Sequence, residues 1–178
     1  MLNSAHHRLR AMEPQDLELL FDWENDSAHW WMGATNLPIS REAMRNFIAG
    51  NHDVYRDRQL RWMLDAQVDE AWQTIGALDL YDVDPRHLRA GTAIHIVEPA
   101  RRQGHGLEGL RLLKAYAHHH LGLRQVYAEI PSGHVASEAL FGAAGFEMSG
   151  MMASWIRSPH GWKDVSVWQC LFDKPCDP

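Results

Sequence analysis

An α/β domain built on a mixed, mostly antiparallel sheet follows from three features of the sequence. Its 178 residues are 46% hydrophobic and 22% charged, enough for one core of ordinary domain size. Seven short segments carry strand-type patterning and four carry helical spacing, in the order β-α-α-β-β-β-α-β-α-β-β. No repeat, low-complexity tract or Pro/Ser-rich linker divides them, so a single domain is expected.

Residues 6–12 read as a short opening strand. Pro14 then stands where the first turn of a helix tolerates it, and Leu17, Leu20 and Phe21 keep helical spacing. Ser40 is a fitting N-cap for a second helix through Ala43, Phe47 and Ile48. Residues 60–67 and 73–82 are expected to be strands joined by a polar turn at 68–71. A further strand, 92–97, stops at Glu98-Pro99. After Gly104 and Gly106, one helical face gathers Leu110, Leu113, Ala117 and Leu121, and Gly122 ends that helix. Residues 124–130 form a strand closed by Pro131, and a short helix covers about 134–144. Two strands, 147–157 and 163–172, finish the domain around the turn Ser158-Pro-His-Gly161.

The formal net charge of −6 speaks against nonspecific nucleic-acid binding, which draws on a basic excess. Cys170 and Cys176 form neither a disulfide framework nor a zinc pattern and suit a reducing compartment. No apolar run reaches signal-peptide or membrane-helix length, so a soluble cytoplasmic protein is expected.

Chemistry concentrates in Ile96-Val-Glu-Pro-Ala-Arg-Arg-Gln-Gly-His-Gly106, where a strand enters a basic, glycine-bearing loop that opens a helix. Helix-start amides and the positive dipole end make an anion site, and glycines let a pyrophosphate approach the backbone. Arg101 and Arg102 add charge beside it. The bland alternative is a glycine turn with two solvated arginines. Gly104-His-Gly-Leu-Glu-Gly109 also matches a dinucleotide fingerprint, but there the strand runs almost directly into the first glycine. Here Val97 lies seven positions upstream, behind antiparallel-looking strands, so the match is read as accidental.

Arg101-Arg-Gln-Gly-His-Gly106 resembles the [Q/R]-x-x-G-x-[G/A] signature of the GNAT N-acetyltransferases. Residues 80–90, the helix after the loop, the segment Ser137-Glu-Ala-Leu-Phe-Gly-Ala-Ala-Gly-Phe146 and the closing hairpin resemble the spermidine and ribosomal-protein subgroup. The resemblance implies a GNAT fold, with a sheet splayed in the middle and helices on both faces. It implies acetyl-CoA as cosubstrate, no metal, and an amine acceptor such as a small amine, a polyamine or a protein N-terminus. Carried over, Ile94, His95 and Ile96 line the pantetheine arm, and Arg101, Arg102, Gln103, Gly104, His105, Gly106 and Leu107 hold the pyrophosphate. His134 stands where the family has an asparagine that contacts the arm, with Ser137 one turn along. A homodimer is common in such folds. Phe141 replaces a tyrosine whose hydroxyl protonates the departing thiolate, and Gly91 stands where relatives often carry glutamate. These departures, with His134, leave open a non-catalytic acyl-CoA-binding or sensor module of the same fold.

Acetylating an amine requires a group that takes its proton. From Glu13 to Asp26 the chain has six acids and no lysine or arginine, followed by Trp30 and Trp31. Such acids and aromatics can cradle an ammonium, or form a solvated helix face with one tryptophan in the core. Glu24 is the choice from this stretch. Asp79 is the other candidate base, because strand alternation sets it opposite Leu78 and Leu80. It is equally readable as the partner of an arginine such as Arg89. His95, on the strand beside the thioester, is held in reserve. Spermidine itself is not indicated, since Gly33-Ala-Thr-Asn36 stands where polyamine acetyltransferases have adjacent glutamates. His118, His119 and His120 diverge by about 100° each along a helix and do not share a metal ion.

Overall fold

The computed structural model describes residues 2–28, 30–33, 37–50 and 52–172. Seven strands form one sheet: β1 (His7–Arg10), β2 (Leu60–Val68), β3 (Ala71–Asp84), β4 (Arg89–Ile96), β5 (Gln125–Pro131), β6 (Glu147–Ser158) and β7 (Gly161–Leu171). They lie in the order β1-β2-β3-β4-β5-β7-β6. Every neighbouring pair is antiparallel except β4 and β5.

Alternation along the central strands supplies a core to each face. Trp62, Leu64, Leu78 and Leu80 point to one side, against Leu110, Leu113 and Ala117 of α4 (His105–His119) and Phe141 of α5 (Val135–Ala143). Met63 and Ala77 point to the other, against Leu20 of α1 (Leu17–Glu24) and Met44 and Ile48 of α2 (Arg41–Ile48). Ser40 caps α2 by accepting from the Ala43 amide at 3.1 Å, as its position suggested. The β2–β3 turn is Asp69-Glu70, both at positive φ, a hairpin geometry whose twist matches the strands.

Several boundaries differ from expectation. The opening strand is shorter than 6–12, because the chain beyond Arg10 turns into a 3-10 turn, Pro14–Asp16, ahead of α1. β4 begins at Arg89, three residues before the β-branched run, since Arg89 and Ala90 pair with Gln125 and Val126. α4 ends at His119, two residues short of Leu121. Near that end the rings of His118 and His119 meet at 4.6 Å, closer than regular helical divergence implies. A four-residue helix, α3 (Val54–Asp57), is additional, started by Asp53 accepting from the amides of Tyr55 and Arg56. Cys170 is buried with a free thiol, and Cys176 lies outside the described residues. Among the described residues, no helix is long and apolar enough to cross a membrane.

Candidate active site

β4 and β5 pair over three residues only, Arg89–Gly91 against Gln125–Tyr127. Beyond them the strands part. Residues 92–96 continue to pair with β3 and residues 128–131 with β7, so the two edges that face each other present unpaired peptide groups. The Tyr81 ring sits at the vertex of this wedge, packed so closely over Gly91 that a Cβ there would lie 2.2 Å from it. Glycine at 91 is therefore a packing requirement. A glutamate at that position would require the Tyr81 ring to move.

The wide end of the wedge leads to the loop. After β4, a 3-10 turn at Glu98–Ala100 reverses the chain. Arg101 donates from Nε to the Ile96 carbonyl at 2.9 Å, and Gln103 donates from Nε2 to the Pro99 carbonyl at 2.7 Å. Those two side chains brace the loop. Arg102 and Gly104 both take left-handed backbone, at φ 61° and 85°. Gly104 is the N-cap of α4 and has no side chain to cap it. The first helical bond is Glu108 N–H to the Gly104 carbonyl, so the amides of His105, Gly106 and Leu107 precede the helical ladder. With Arg102 exposed beside them, they offer an anion site. Behind the loop, His7 and His105 join through Nε2 and Nδ1 at 2.8 Å, which requires one donor and one acceptor. Burial lowers the His7 pKa, His105 lowers it further, and Glu108 opposes both.

On the α1–α2 face, strand alternation brings Asp79 of β3 and His95 of β4 to the same side. Arg61 of β2 faces Asp79 directly and donates to both its oxygens, from Nε at 2.7 Å and Nη2 at 2.9 Å. Its Nη1 donates to Glu24 at the end of α1. Asp79 therefore pairs with Arg61 and not with Arg89, which lies 3.6 Å from Asp84. The two sequence-named carboxylates are brought together on one guanidinium. Burial alone would lower the Arg61 pKa, but Asp79 and Glu24 outweigh it and the net value is raised. The His95 ring packs on Trp23 at 4.9 Å. Trp30 donates from its indole to the Glu24 carbonyl at 2.8 Å, and Trp31 lies 5.7 Å from the Lys163 ammonium. The two tryptophans thus have separate partners.

These features have a family context. Residues 6–147 match the family described as Acetyltransferase (GNAT) domain. The chain belongs to the GNAT acetyltransferases. A curated relative, the uncharacterized N-acetyltransferase YoaA of Bacillus subtilis (strain 168), is 23% identical over 165 residues, 92% of each chain. Among solved structures, the fold is similar to spermidine N-acetyltransferase from Vibrio cholerae in complex with CoA and spermine. The TM-score is 0.80 at 18% identity, over 94% of this chain and 96% of that one. RimL, a ribosomal L7/L12 α-N-protein acetyltransferase in complex with coenzyme A, gives 0.78 at 19% over 96% of both.

Viewed as a GNAT site, the wedge fits a coenzyme's polar arm. Two of the three buried side-chain atoms without a hydrogen-bond partner among the described residues border it, Thr92 Oγ1 and Ser132 Oγ. His134 is the N-cap of α5, its Nδ1 accepting from the Ser137 amide at 3.3 Å. That bond leaves Nε2 to carry the proton of the neutral ring. Phe141 is buried, edge-on to Phe146 at 5.0 Å.

Sequence reasoning met Glu129 only as the acid 20 residues beyond Gly109 in the dismissed dinucleotide match, and did not name it as a base. It stands on β5, two residues past the vertex and on the face of Tyr127. Among the described residues no arginine or lysine pairs with it. Desolvation and the Asp82 carboxylate raise its pKa. Burial also raises Tyr81, with Glu129 the next cause, so the two groups lie close. The only available signal was an acid within the strand 124–130, and nothing in that segment alone says that its neighbour strand departs.

Proposed function

We propose that the wedge binds acetyl-CoA and that the protein transfers its acetyl group to a primary amine entering from the α1–α2 face. One observation carries this: unpaired strand edges that lead to the uncapped start of a 15-residue helix beside Arg102. In this reading the amides of His105, Gly106 and Leu107 and the Arg102 guanidinium hold the diphosphate, while Arg101 and Gln103 keep the loop in shape. The backbone of Ile94, His95 and Ile96 meets the arm, with His134 and Ser137 across from it. The coenzyme supplies an activated acyl group and a thiolate as leaving group.

Glu129 is the base we favour. Both oxygens of Asp79 are engaged by the Arg61 guanidinium, whereas among the described residues no arginine or lysine pairs with Glu129. Glu129 has the raised pKa and stands two residues past the vertex. Asp79 and Glu24, sharing one positive charge, then form a net-negative floor that attracts the incoming ammonium, and Trp30 fixes the end of α1 that carries Glu24. The structural neighbours named for a polyamine and for a protein α-amine have in common a primary amine, the acceptor class adopted here.

Calorimetry with acetyl-CoA tests the site. Arg102→Ala removes a charge-assisted contact and is expected to weaken binding on the order of 10–100-fold. Gly104→Ala forces a side chain into left-handed backbone and is expected to weaken it as well. Unchanged affinity in both variants overturns the coenzyme assignment. Thiol release then tests the chemistry: Glu129→Gln is expected to lower kcat by about 10²–10⁴-fold. The raised pKa places the wild-type rise of kcat with pH above the usual glutamate range of about 4.3. Tight binding without thiol release across polyamines, aminoglycosides and peptide N-termini would instead favour a non-catalytic module, the reading that Phe141 motivates.

A further inference from the structure

Thr92 is the first residue of β4 beyond the last pair with β5. Pairing opposite Leu80, it faces the α4 side, where it is 2% exposed and its Oγ1 has no hydrogen-bond partner among the described residues. A buried hydroxyl without a partner forfeits the bonds it made with water, a penalty a valine of the same shape would avoid. Such groups are rare, and each asks for a cause. Here a second orphan, Ser132, follows β5 on the other side of the same opening. The cause is therefore sought in the wedge.

Position along the strand says which part of a ligand meets Thr92. Five residues separate it from Val97, where the chain leaves for the loop, about 17 Å of strand at roughly 3.3 Å per residue. An extended pantetheine arm anchored on the loop amides has a comparable reach, so its sulfur comes to the vertex. On the α4 side of that vertex, α5 contributes the apolar Phe141 ring, while Thr92 has a free hydroxyl. Glu129 lies on the opposite face. Proton removal from the amine and support of the departing sulfur are thus assigned to opposite faces of one sheet.

We propose that the Thr92 hydroxyl donates a hydrogen bond to the coenzyme sulfur and stabilises it as it leaves. The inference rests on the acetyl-CoA reading given above. As the amine nitrogen bonds to the acetyl carbon, the carbon–sulfur bond breaks and its electron pair stays on sulfur. The amine proton passes to the carboxylate on the far face, and the thiolate takes its proton from solvent. Thr92 keeps its own proton throughout and lends only the hydrogen bond.

Thr92→Val and Thr92→Ser test this with three readouts. The first is the melting temperature of the free protein, expected to stay level or rise in Thr92→Val because an unsatisfied hydroxyl is gone. The second is the thiol pKa of bound coenzyme A, followed by thiolate absorbance. Wild type is expected to hold it below the free value of about 8.5, and Thr92→Val to return it toward that value. The third is kcat, expected to fall on the order of 10–100-fold in Thr92→Val and to be largely kept in Thr92→Ser. Should Thr92→Val fail to fold, Thr92→Ala against Thr92→Ser makes the same comparison. Wild-type binding of coenzyme A with an unchanged thiol pKa and kcat in the variant overturns this proposal alone. Failure of wild type to bind coenzyme A overturns the reading beneath it.

Discussion

Arg10 and Arg61 are equally exposed and each grip two carboxylates, but the carboxylates differ in how much water reaches them. Arg10 donates to both oxygens of Asp16 at 2.7 Å and to Asp65 at 2.9 Å, with Thr74 at 2.8 Å and Arg8 also on Asp65. The side chains of Asp16 and Asp65 are 2% and 3% exposed. Arg61 repeats the arrangement with Glu24 and Asp79, but those carboxylates are 28% and 26% exposed. The first cluster ties β1, β2, β3 and the turn before α1 together, and every charge in it is compensated inside the protein. The second opens on the face from which an acceptor would come. Similar side chains thus serve as a staple where they are sealed and as a candidate binding floor where they are not.

The largest expected effect falls on the sealed cluster. Asp65→Ala leaves Arg8 and Arg10 facing an emptied site and is expected to cost about 3–5 kcal/mol in denaturant unfolding. Arg61→Met, in the open cluster, is expected to cost only about 1 kcal/mol, while lowering KM for the amine because the floor loses its one positive charge, and leaving acetyl-CoA affinity unchanged. Equal losses of stability in the two variants would erase the distinction. The smallest effect concerns acid. Burial pushes the Asp16 pKa up, but the Arg10 bond and the Glu13 amide outweigh it, and the net value is lowered. A depressed carboxylate gives stability that is present above its unfolded value of about 3.9 and lost as pH falls through the folded one. Acid unfolding of wild type is therefore expected below that value. Arg10→Met should move the acid limb upward.

Much of this architecture was readable from residue patterns. Period-two alternation and the stops at Pro99, Pro131 and Gly161 marked the strands, and the basic glycine loop marked the start of α4. The partner of Asp79 was not readable, for a definite reason. Counting back from the Asp69-Glu70 turn, an unbroken ladder would set Arg61 opposite Leu78. A register shift between Leu64 and Asp65 leaves Ile75 as an extra residue and moves Arg61 onto Asp79. Nothing in the local pattern announces that shift. α3 escaped for a simpler reason, since four residues with one valine carry no helical period. Glu129 and Thr92 gain meaning only where β4 and β5 diverge, and divergence is a property of two segments more than thirty residues apart.

The brevity of the β4–β5 contact also bears on how the sheet moves. Three residue pairs stitch one four-stranded leaf, β1 to β4, to a three-stranded leaf, β5 to β7, with α4 and α5 lying along the join. A seam so short can breathe without melting either leaf, because few cooperative bonds are broken. Amide protons at positions 89–91 and 125–127 should therefore exchange with deuterium sooner than those at the centre of the β2–β3 ladder. A molecule lodged between the leaves would act as a clasp and slow that exchange.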